Sequence, residues 1–345
     1  MLKVVINGKY TTDRMQGIVR YARELLCEFD KLLDAKDDVV LVVPQGAHDI
    51  PSYANIRVER YGRLSGIPWE QVDLARYLLL HPGYVPLNLC NVAPLLARPG
   101  VTTIHDIMYK ACPEFYTTTR NRVSRLWHCA QYALLTCRER AILTDSEYSK
   151  QELERYYPRS RGKVRVVPAA WQHVLRYNPA PDWQDRYPQL KPGEYLFSMA
   201  TLSRNKNGRW IYEAAKNNPN MLFALAGKRY ETDEVEKPSN VLLLGFISDE
   251  DACALIQNCR AFVYPSIYEG YGLPPIEALA LGAEVVSSNT TSLPEVLGNA
   301  VHYIDPTRPD VNLTEILQQP VGPTEEQLRK FSWKKSAGML QEVLQ

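Results

Sequence analysis

The chain has no surplus of either charge: 40 Lys and Arg stand against 39 Asp and Glu, a formal net charge of +1. General nucleic-acid binding needs a basic excess, so the balance argues against that class. No stretch approaches the roughly 18–20 apolar residues of a membrane span. The chain therefore reads as soluble, or at most as resting on a membrane surface. Its seven cysteines show no C-x-x-C and no Cys/His metal spacing. An odd, scattered set points to reduced thiols in a cytosolic compartment. Gly-x-Ser-x-Gly, H-E-x-x-H and Walker A sequences are missing, which weakens serine hydrolase, zinc protease and P-loop NTPase readings. The dinucleotide fingerprint G-x-G-x-x-G is missing too. The N-terminal MLKVVING is too short an apolar run for a signal peptide and reads as a buried strand.

What is present is length and alternation. The 345 residues, 45% of them hydrophobic, suffice for two domains of ordinary size. Short apolar runs predict strands at Leu2–Ile6, Val39–Val43, Val101–Ile104, Ala141–Thr144 and Val164–Val167. Ile18, Tyr21, Ala22, Leu25, Leu26 and Phe29 recur at helical spacing between the first two. Proline-rich, polar NPAPDW and YPQLKPGE then predict a linker. A second series follows: strands at Tyr195–Met199, Met221–Ala226, Val241–Leu244, Ala261–Tyr264 and Glu284–Ser288, a helix over Gly208–Asn217, and a helical C-terminus over Thr324–Gln345. The expected fold class is α/β, with two Rossmann-like parallel-sheet domains facing across a cleft. The expected bounds are 1–175 for the first domain, 176–192 for the linker, 193–325 for the second domain, and 326–345 for a C-terminal helix packing back toward the first.

The most informative segment is SIYEGYGLPPIEALALG, Ser266 to Gly282. It carries two glutamates, Glu269 and Glu277, around a turn broken by Gly270 and Gly272. Glycines let backbone N–H groups approach an anion, and a helix start adds positive partial charge. Two carboxylates flanking such a site suit a nucleoside-diphosphate sugar. Pro274-Pro275 marks the helix start and Gly282 its end, which places Glu277 in the first turn. Glu277 reads either as a ligand or as a helix-start charge. A capping box would need Ser or Thr where Pro274 stands, so the ligand reading is favoured. Ser292 and Glu295 do have the box spacing and read as structural.

Other candidates have two readings each. Gly17 lies in the loop before the first helix, as a phosphate approach or an ordinary turn. His105-Asp106 ends the strand VTTI, as a hydrogen-bond donor to a sugar with a carboxylate beside it, or as a surface His with a capping Asp; the strand-end position favours function. Arg204 and Lys206 follow YLFSM and either neutralise a pyrophosphate or sit in solvent. Asp249-Glu250-Asp251 looks like a D-x-D metal motif, but Ser248 and Asp251 have cap-like spacing, and the structural reading is preferred. Arg120 to Arg140 interleaves arginines with Trp127, Tyr132, Leu134 and Leu135. It fits either a membrane-surface helix or a helix with one buried stripe and one basic face, the latter preferred.

The Ser266–Gly282 segment resembles the Glu-x7-Glu signature of family four of the retaining glycosyltransferases, which have the GT-B fold. MQGIVRYARELL, PLNLCNVAPLL, TIHDIMY, ILTDSEYSKQEL, VRVVPAAW, FSMATLSRNKN and SSNTTSLPEVLGNAVHYIDP extend the similarity over most of the chain. The resemblance implies that Glu277 holds the ribose and that Glu269 contacts the donor sugar on the reacting face. It implies that backbone at Gly270, Tyr271, Gly272 and Leu273 binds sugar and phosphate, with Arg204 and Lys206 neutralising the diphosphate. His105 would touch the transferred sugar, Gly17 would let the first domain close on it, and backbone near Gly245 and Ile247 would meet the base. The sequence departs from the pattern at Ala200, where Gly is common, at Asn205, where Arg was expected, and at Ala169-Ala170, where Asn-Gly is common.

The implied activity is retaining transfer of a hexose to a hydroxyl of a growing glycan, with GDP-mannose as the expected donor and other GDP-, dTDP- or UDP-sugars as the alternatives. No metal or other cofactor is expected. A lipid-linked oligosaccharide in surface-polysaccharide or O-antigen assembly is the expected acceptor, with the protein cytoplasmic on the inner face of the membrane. A GT-B epimerase or phosphorylase and an inactive nucleotide-binding scaffold are the alternatives.

Overall fold

The computed structural model describes residues 1–199, 203–227 and 236–345. They form two compact units, Met1–Ala169 with Trp333–Gln345, and Ala170–Ser332.

The first unit is built on seven strands: β1 Lys3–Asn7, β2 Asp38–Val43, β3 Arg57–Arg60, β4 Val85–Asn88, β5 Val101–Thr103, β6 Ala141–Thr144 and β7 Val164–Val166. They pair in the order β3-β2-β1-β4-β5-β6-β7, every neighbour parallel. A parallel sheet covered on both faces needs continuous apolar strands rather than alternating ones. That is why VVIN and VVLVV are buried almost throughout. The exposed edge strand β3 reads RVER instead, and charge there blunts further pairing. Helix α1, Gly17–Asp30, buries Tyr21, Ala22, Leu25, Leu26 and Phe29, the stripe anticipated from spacing. Strand β4 was not anticipated, because Pro86 removes a ladder donor and argues against a central strand. The strand survives by pairing through Leu87 with both Ile6 and Val101.

The second unit has six strands: β8 Tyr195–Ser198, β9 Leu222–Ala226, β10 Val241–Gly245, β11 Ala261–Tyr264, β12 Val285–Ser288 and β13 His302–Ile304. Their order is β10-β9-β8-β11-β12-β13, again all parallel. Trp210, Ile211, Phe223 and Val263 lie in one of its buried clusters. Two Rossmann-like parallel sheets are the expected fold class. In each, the strand order reverses once, between β1 and β4 and between β8 and β11. Ligands of such sheets bind beyond the strand carboxyl ends at that reversal.

Three boundaries are corrected. The first unit ends at Ala169 rather than at 175. The segment 176–192, expected as a linker, packs on the second unit. Trp183 and Leu190 are buried, Ala180 N–H donates to Glu250 O at 3.1 Å, and Arg186 pairs with Asp251 at 2.8 Å. Its polar, proline-rich composition hid these few anchors. The C-terminal stretch is two helices, Thr324–Leu328 and Trp333–Leu344. In the break between them, Phe331 packs edge-on against Tyr271, ring centroids 5.7 Å apart. The last helix joins the first unit, where Ser336 Oγ donates to Pro168 O at 2.6 Å.

The helix Thr119–Arg138 buries Gln131, Tyr132, Leu135 and Thr136 and leaves Val123, Leu126 and Leu134 exposed. Its outer face therefore carries apolar side chains among its arginines. Among the described residues, no helix is long and apolar enough to cross a membrane.

Candidate active site

Lys206 follows β8 and Glu269 follows β11, so the reversal of the second sheet brings them together although 63 positions separate them. The loops that carry them are joined through backbone. Asn205 O accepts from Ile267 N–H at 2.7 Å and lies 2.8 Å from Ser266 Oγ, whose one proton goes to Glu269. Asn207 stands in the left-handed region at φ +57°, and its Nδ2 donates to Pro265 O at 3.1 Å. Asn205, where Arg was expected, thus joins the loops through its carbonyl.

One oxygen of Glu269 receives three donors. Oε1 accepts from Lys206 Nζ at 2.7 Å, Tyr264 Oη at 2.8 Å and Ser266 Oγ at 2.5 Å. Lys206 also donates to Tyr264 Oη at 2.7 Å. Oε2 takes part in none of these bonds. The carboxylate is therefore clamped through one oxygen. Burial by itself disfavours the ammonium form of Lys206, but the charge of Glu269 and the Tyr264 hydroxyl outweigh it, and its pKa rises. Burial and the same carboxylate push Tyr264 up as well. Lys206 is thus held as a cation with one N–H left to donate.

The glycine turn is braced from β12's side of the sheet. Ser292 Oγ lies 3.0 Å from Glu269 O and 3.1 Å from Tyr271 O and shares its one proton between the two carbonyls, and Thr291 Oγ1 accepts from Glu269 N–H at 3.2 Å. The capping-box reading of Ser292 with Glu295 is corrected here. Ser292 makes no cap bond, because its hydroxyl is spent on the turn. Gly272 sits at φ +98° as the N-cap of the helix Leu273–Ala280. The helix starts at Leu273, so Glu277 is not in the first turn, another correction. Glu277 is instead fixed by His173, whose buried Nε2 lies 2.7 Å from Oε1.

The other expected donor-side residues occupy the same carboxyl edge. Gly270 and Tyr271 are buried, Leu273 half-buried and Arg204 exposed. Gly245 ends the edge strand β10 at φ +71° and Ile247 follows it half-buried, two strands away from β8. Ala200 lies outside the described residues.

Gly17, His105 and Asp106 belong to the first unit. Gly17 is the first residue of α1 rather than part of the loop. The carboxylate beside His105 is Asp145, not Asp106: Nδ1 lies 2.7 Å from Asp145 Oδ2, and Nε2 lies 2.9 Å from Leu89 O. Both ring nitrogens are therefore engaged within the fold, and the ring packs edge-on against Tyr21 at 4.8 Å. Burial alone lowers the His105 pKa, but Asp145 reverses this and the net direction is upward. Asp106 Oδ1 accepts from Met108 N–H at 2.8 Å, a local turn bond.

Among the described residues, no group of three or more His, Cys, Asp and Glu is arranged to hold a metal ion. In the D-x-D-like stretch, Ser248 Oγ accepts from Asp251 N–H at 3.0 Å and Asp251 pairs with Arg186. Sequence reasoning missed Tyr264, Ser266, Ser292 and His173. Ser266 lies inside the informative segment and Tyr264 ends the strand feeding it, a usable signal. His173 lies 104 positions from its partner, and nothing local announces it.

Residues 181–318 match the family described as "Glycosyl transferases group 1". The chain is 31% identical to the O-antigen chain mannosyltransferase B of Escherichia coli, covering 97% of this chain and 93% of that one. It is 26% identical to the serotype-specific mannosyltransferase WbdA of the same species, over 86% of this chain but only 38% of that longer protein. Among solved structures, sucrose-phosphate synthase from Thermosynechococcus elongatus superposes with TM-score 0.70 at 16% identity, covering 99% of this chain and 98% of that one. WaaG, a glycosyltransferase involved in lipopolysaccharide biosynthesis, superposes with TM-score 0.67 at 14% identity, covering 97% and 94%. At such identities the superpositions speak for the fold.

Proposed function

Because the chain belongs to the group 1 glycosyl transferases, the family that the Ser266–Gly282 segment resembles, we propose that it transfers mannose from GDP-mannose to a hydroxyl of a lipid-linked glycan with retention of configuration. The observation that carries this reading is the triple clamp on Glu269 Oε1 beside a cationic Lys206. Breaking the anomeric C–O bond builds negative charge on the departing diphosphate and oxocarbenium character on the sugar. In this reading Lys206 and the amides of the Gly270–Gly272 turn meet the first, and the unclamped oxygen of Glu269 meets the sugar. Fixed groups aimed at developing charge are worth most in a water-poor site. Glu277, held by His173, takes the ribose hydroxyls. The acceptor hydroxyl bonds to the anomeric carbon, and its proton leaves on the departing phosphate.

No metal is needed in this scheme, since Lys206 and Arg204 supply the positive charge. The proposed setting is the cytoplasmic face of the membrane in O-antigen assembly. The helix Thr119–Arg138 supports surface contact, since Val123 and Leu126 are exposed next to Arg122. The test combines a thermal-shift panel of UDP, GDP, ADP and dTDP with turnover of Glu269→Ala, Glu277→Ala and Lys206→Ala. Stabilisation by GDP and a loss of about 10²–10³ in rate for Lys206→Ala are expected. Full activity in all three variants overturns the reading.

A further inference from the structure

The chain passes between the two units twice, at Ala169–Ala170 and at Ser332–Trp333. Within the second unit, the stretches beside these passages are bonded to each other. Trp171 Nε1 donates to Leu328 O at 2.9 Å, and Gln172 Nε2 donates to Phe331 O at 2.9 Å. The partners lie 157 and 159 positions apart, so no local turn requires these bonds. Each stretch also grips the candidate donor site. His173, next to Gln172, holds Glu277. Phe331 meets Tyr271 of the glycine turn edge-on, at an interplanar angle of 86°. The buried Gln327 donates through Nε2 to Val296 O at 2.7 Å, in the helix that follows Ser292. The glycine turn and the acid expected to hold the ribose are thus fastened to both passages as well as to the sheet.

Within the first unit, one side chain holds both passages. Tyr21, on α1, donates through Oη to Val167 O at 2.9 Å, and its ring meets Trp333 edge-on at 5.8 Å. Val167 precedes the first passage, and Trp333 follows the second. The same ring packs against His105. Burial and the charge of Asp145 push the Tyr21 hydroxyl well above its usual range, so it stays protonated and keeps donating. Bonds that only tied the chain down could end anywhere on either unit. These end on Glu277 and Tyr271 in the one, and on the neighbour of His105 in the other.

We propose that the two passages act together as a transmission between the candidate sites, with Phe331 and Gln172 as positioning residues on the donor side and Tyr21 on the other. A nucleotide that orders Glu277 and the Tyr271 turn orders the passages, and through Tyr21 it orders the His105 loop. Ordering one part of a protein lowers the entropy cost of ordering what is fastened to it. The coupling is reciprocal, so a ligand that orders the His105 side raises nucleotide affinity by the same factor. This rests on the donor reading of the second unit and adds a link from that site to another.

The test is amide hydrogen exchange of the full chain with and without the nucleotide of the UDP, GDP, ADP and dTDP panel that stabilises it, GDP being expected. Val174, Lys330 and Phe331 report on the passages, since their amides donate to Trp171 O, Gln327 O and Leu328 O. His105, whose amide donates to Asn91 Oδ1 at 2.8 Å, reports on the far site. Nucleotide should slow exchange at both places by about fivefold or more, the lower end of typical coupling between sites. Phe331→Ala should remove the slowing at His105. Gln172→Ala, at a half-buried position, repeats that test if the first variant folds poorly. Tyr21→Phe keeps the ring and removes the bond to Val167, so it should weaken the slowing at His105 and leave that at Phe331 unchanged. A merely structural role would speed exchange equally with and without nucleotide and leave the difference intact, and that result overturns the proposal. Slowing confined to residues 264–277 overturns it while the donor reading stands. If no nucleotide of the panel stabilises the chain, the donor reading falls and this coupling falls with it.

Discussion

His173, wholly buried, presents Nε2 2.7 Å from Oε1 of Glu277, across 104 positions of sequence. A half-buried carboxylate held by one imidazole is restricted in rotamer, and a carboxylate meant for a ligand profits from being fixed in advance. His173→Ala is therefore expected to weaken GDP binding by about tenfold, the effect of a hydrogen bond to a charged group. His173→Asn, which keeps a donor, should recover part of it. Isothermal titration with GDP checks both. Unchanged affinity in the alanine variant would mean that Glu277 does not depend on its partner.

Tyr264 donates to the same oxygen of Glu269 that Lys206 holds. Tyr264→Phe removes one of three donors and leaves the ring packing in place. A hydrogen bond to a charged group contributes about 1.5–3 kcal/mol, so turnover should fall by about 10–150-fold. GDP affinity should stay near that of the parent, because Tyr264 acts by positioning Glu269. Steady-state kinetics set beside GDP titration separate the two effects.

The His105–Asp145 pair makes stability depend on pH. The folded-state pKa of His105 lies above its ordinary value of about 6.5. Its stabilising contribution is therefore complete below that value and is lost as pH rises through the raised folded-state value. The difference in melting temperature between the parent and His105→Asn should be largest near pH 6 and shrink toward alkaline pH. Melting curves across that range decide it, and a difference that grows with pH would reverse the sign.

Gly272 holds φ +98°, and a Cβ there would lie 2.5 Å from Leu293 Cδ2. The leucine methyl can swing aside, but the backbone strain remains. Gly272→Ala should cost about 1–2 kcal/mol, seen as a drop of a few degrees in melting temperature. Donor binding should fall as well, since the turn carrying Glu269 and Tyr271 must shift.

Much of this was legible in one dimension. Continuous apolar runs such as VVLVV fix parallel strands because burial on both faces leaves no room for alternation. The Gly270–Gly272 turn between two glutamates was visible in the sequence as a candidate ligand site. Local composition misled where a few residues outweighed many. Trp183 and Leu190 tie a polar, proline-rich segment to the second unit, and Pro86 sits inside a central strand. The cap-like spacing of Ser292 and Glu295 describes a bond that is never made, because the Glu269 and Tyr271 carbonyls take the hydroxyl first.

The sequence alone determined the class of fold, the acidic pair and the cation meant to face it, because those depend on residue type and short spacing. Only the tertiary structure decided which partner each side chain has. Strand order brings Lys206 to Glu269 and Asp145 rather than Asp106 to His105, and the packing of the turn Gln172–Arg176 on the helix Leu273–Ala280 brings His173 to Glu277. Hydrogen bonds act over about 3 Å in space, without regard to distance along the chain.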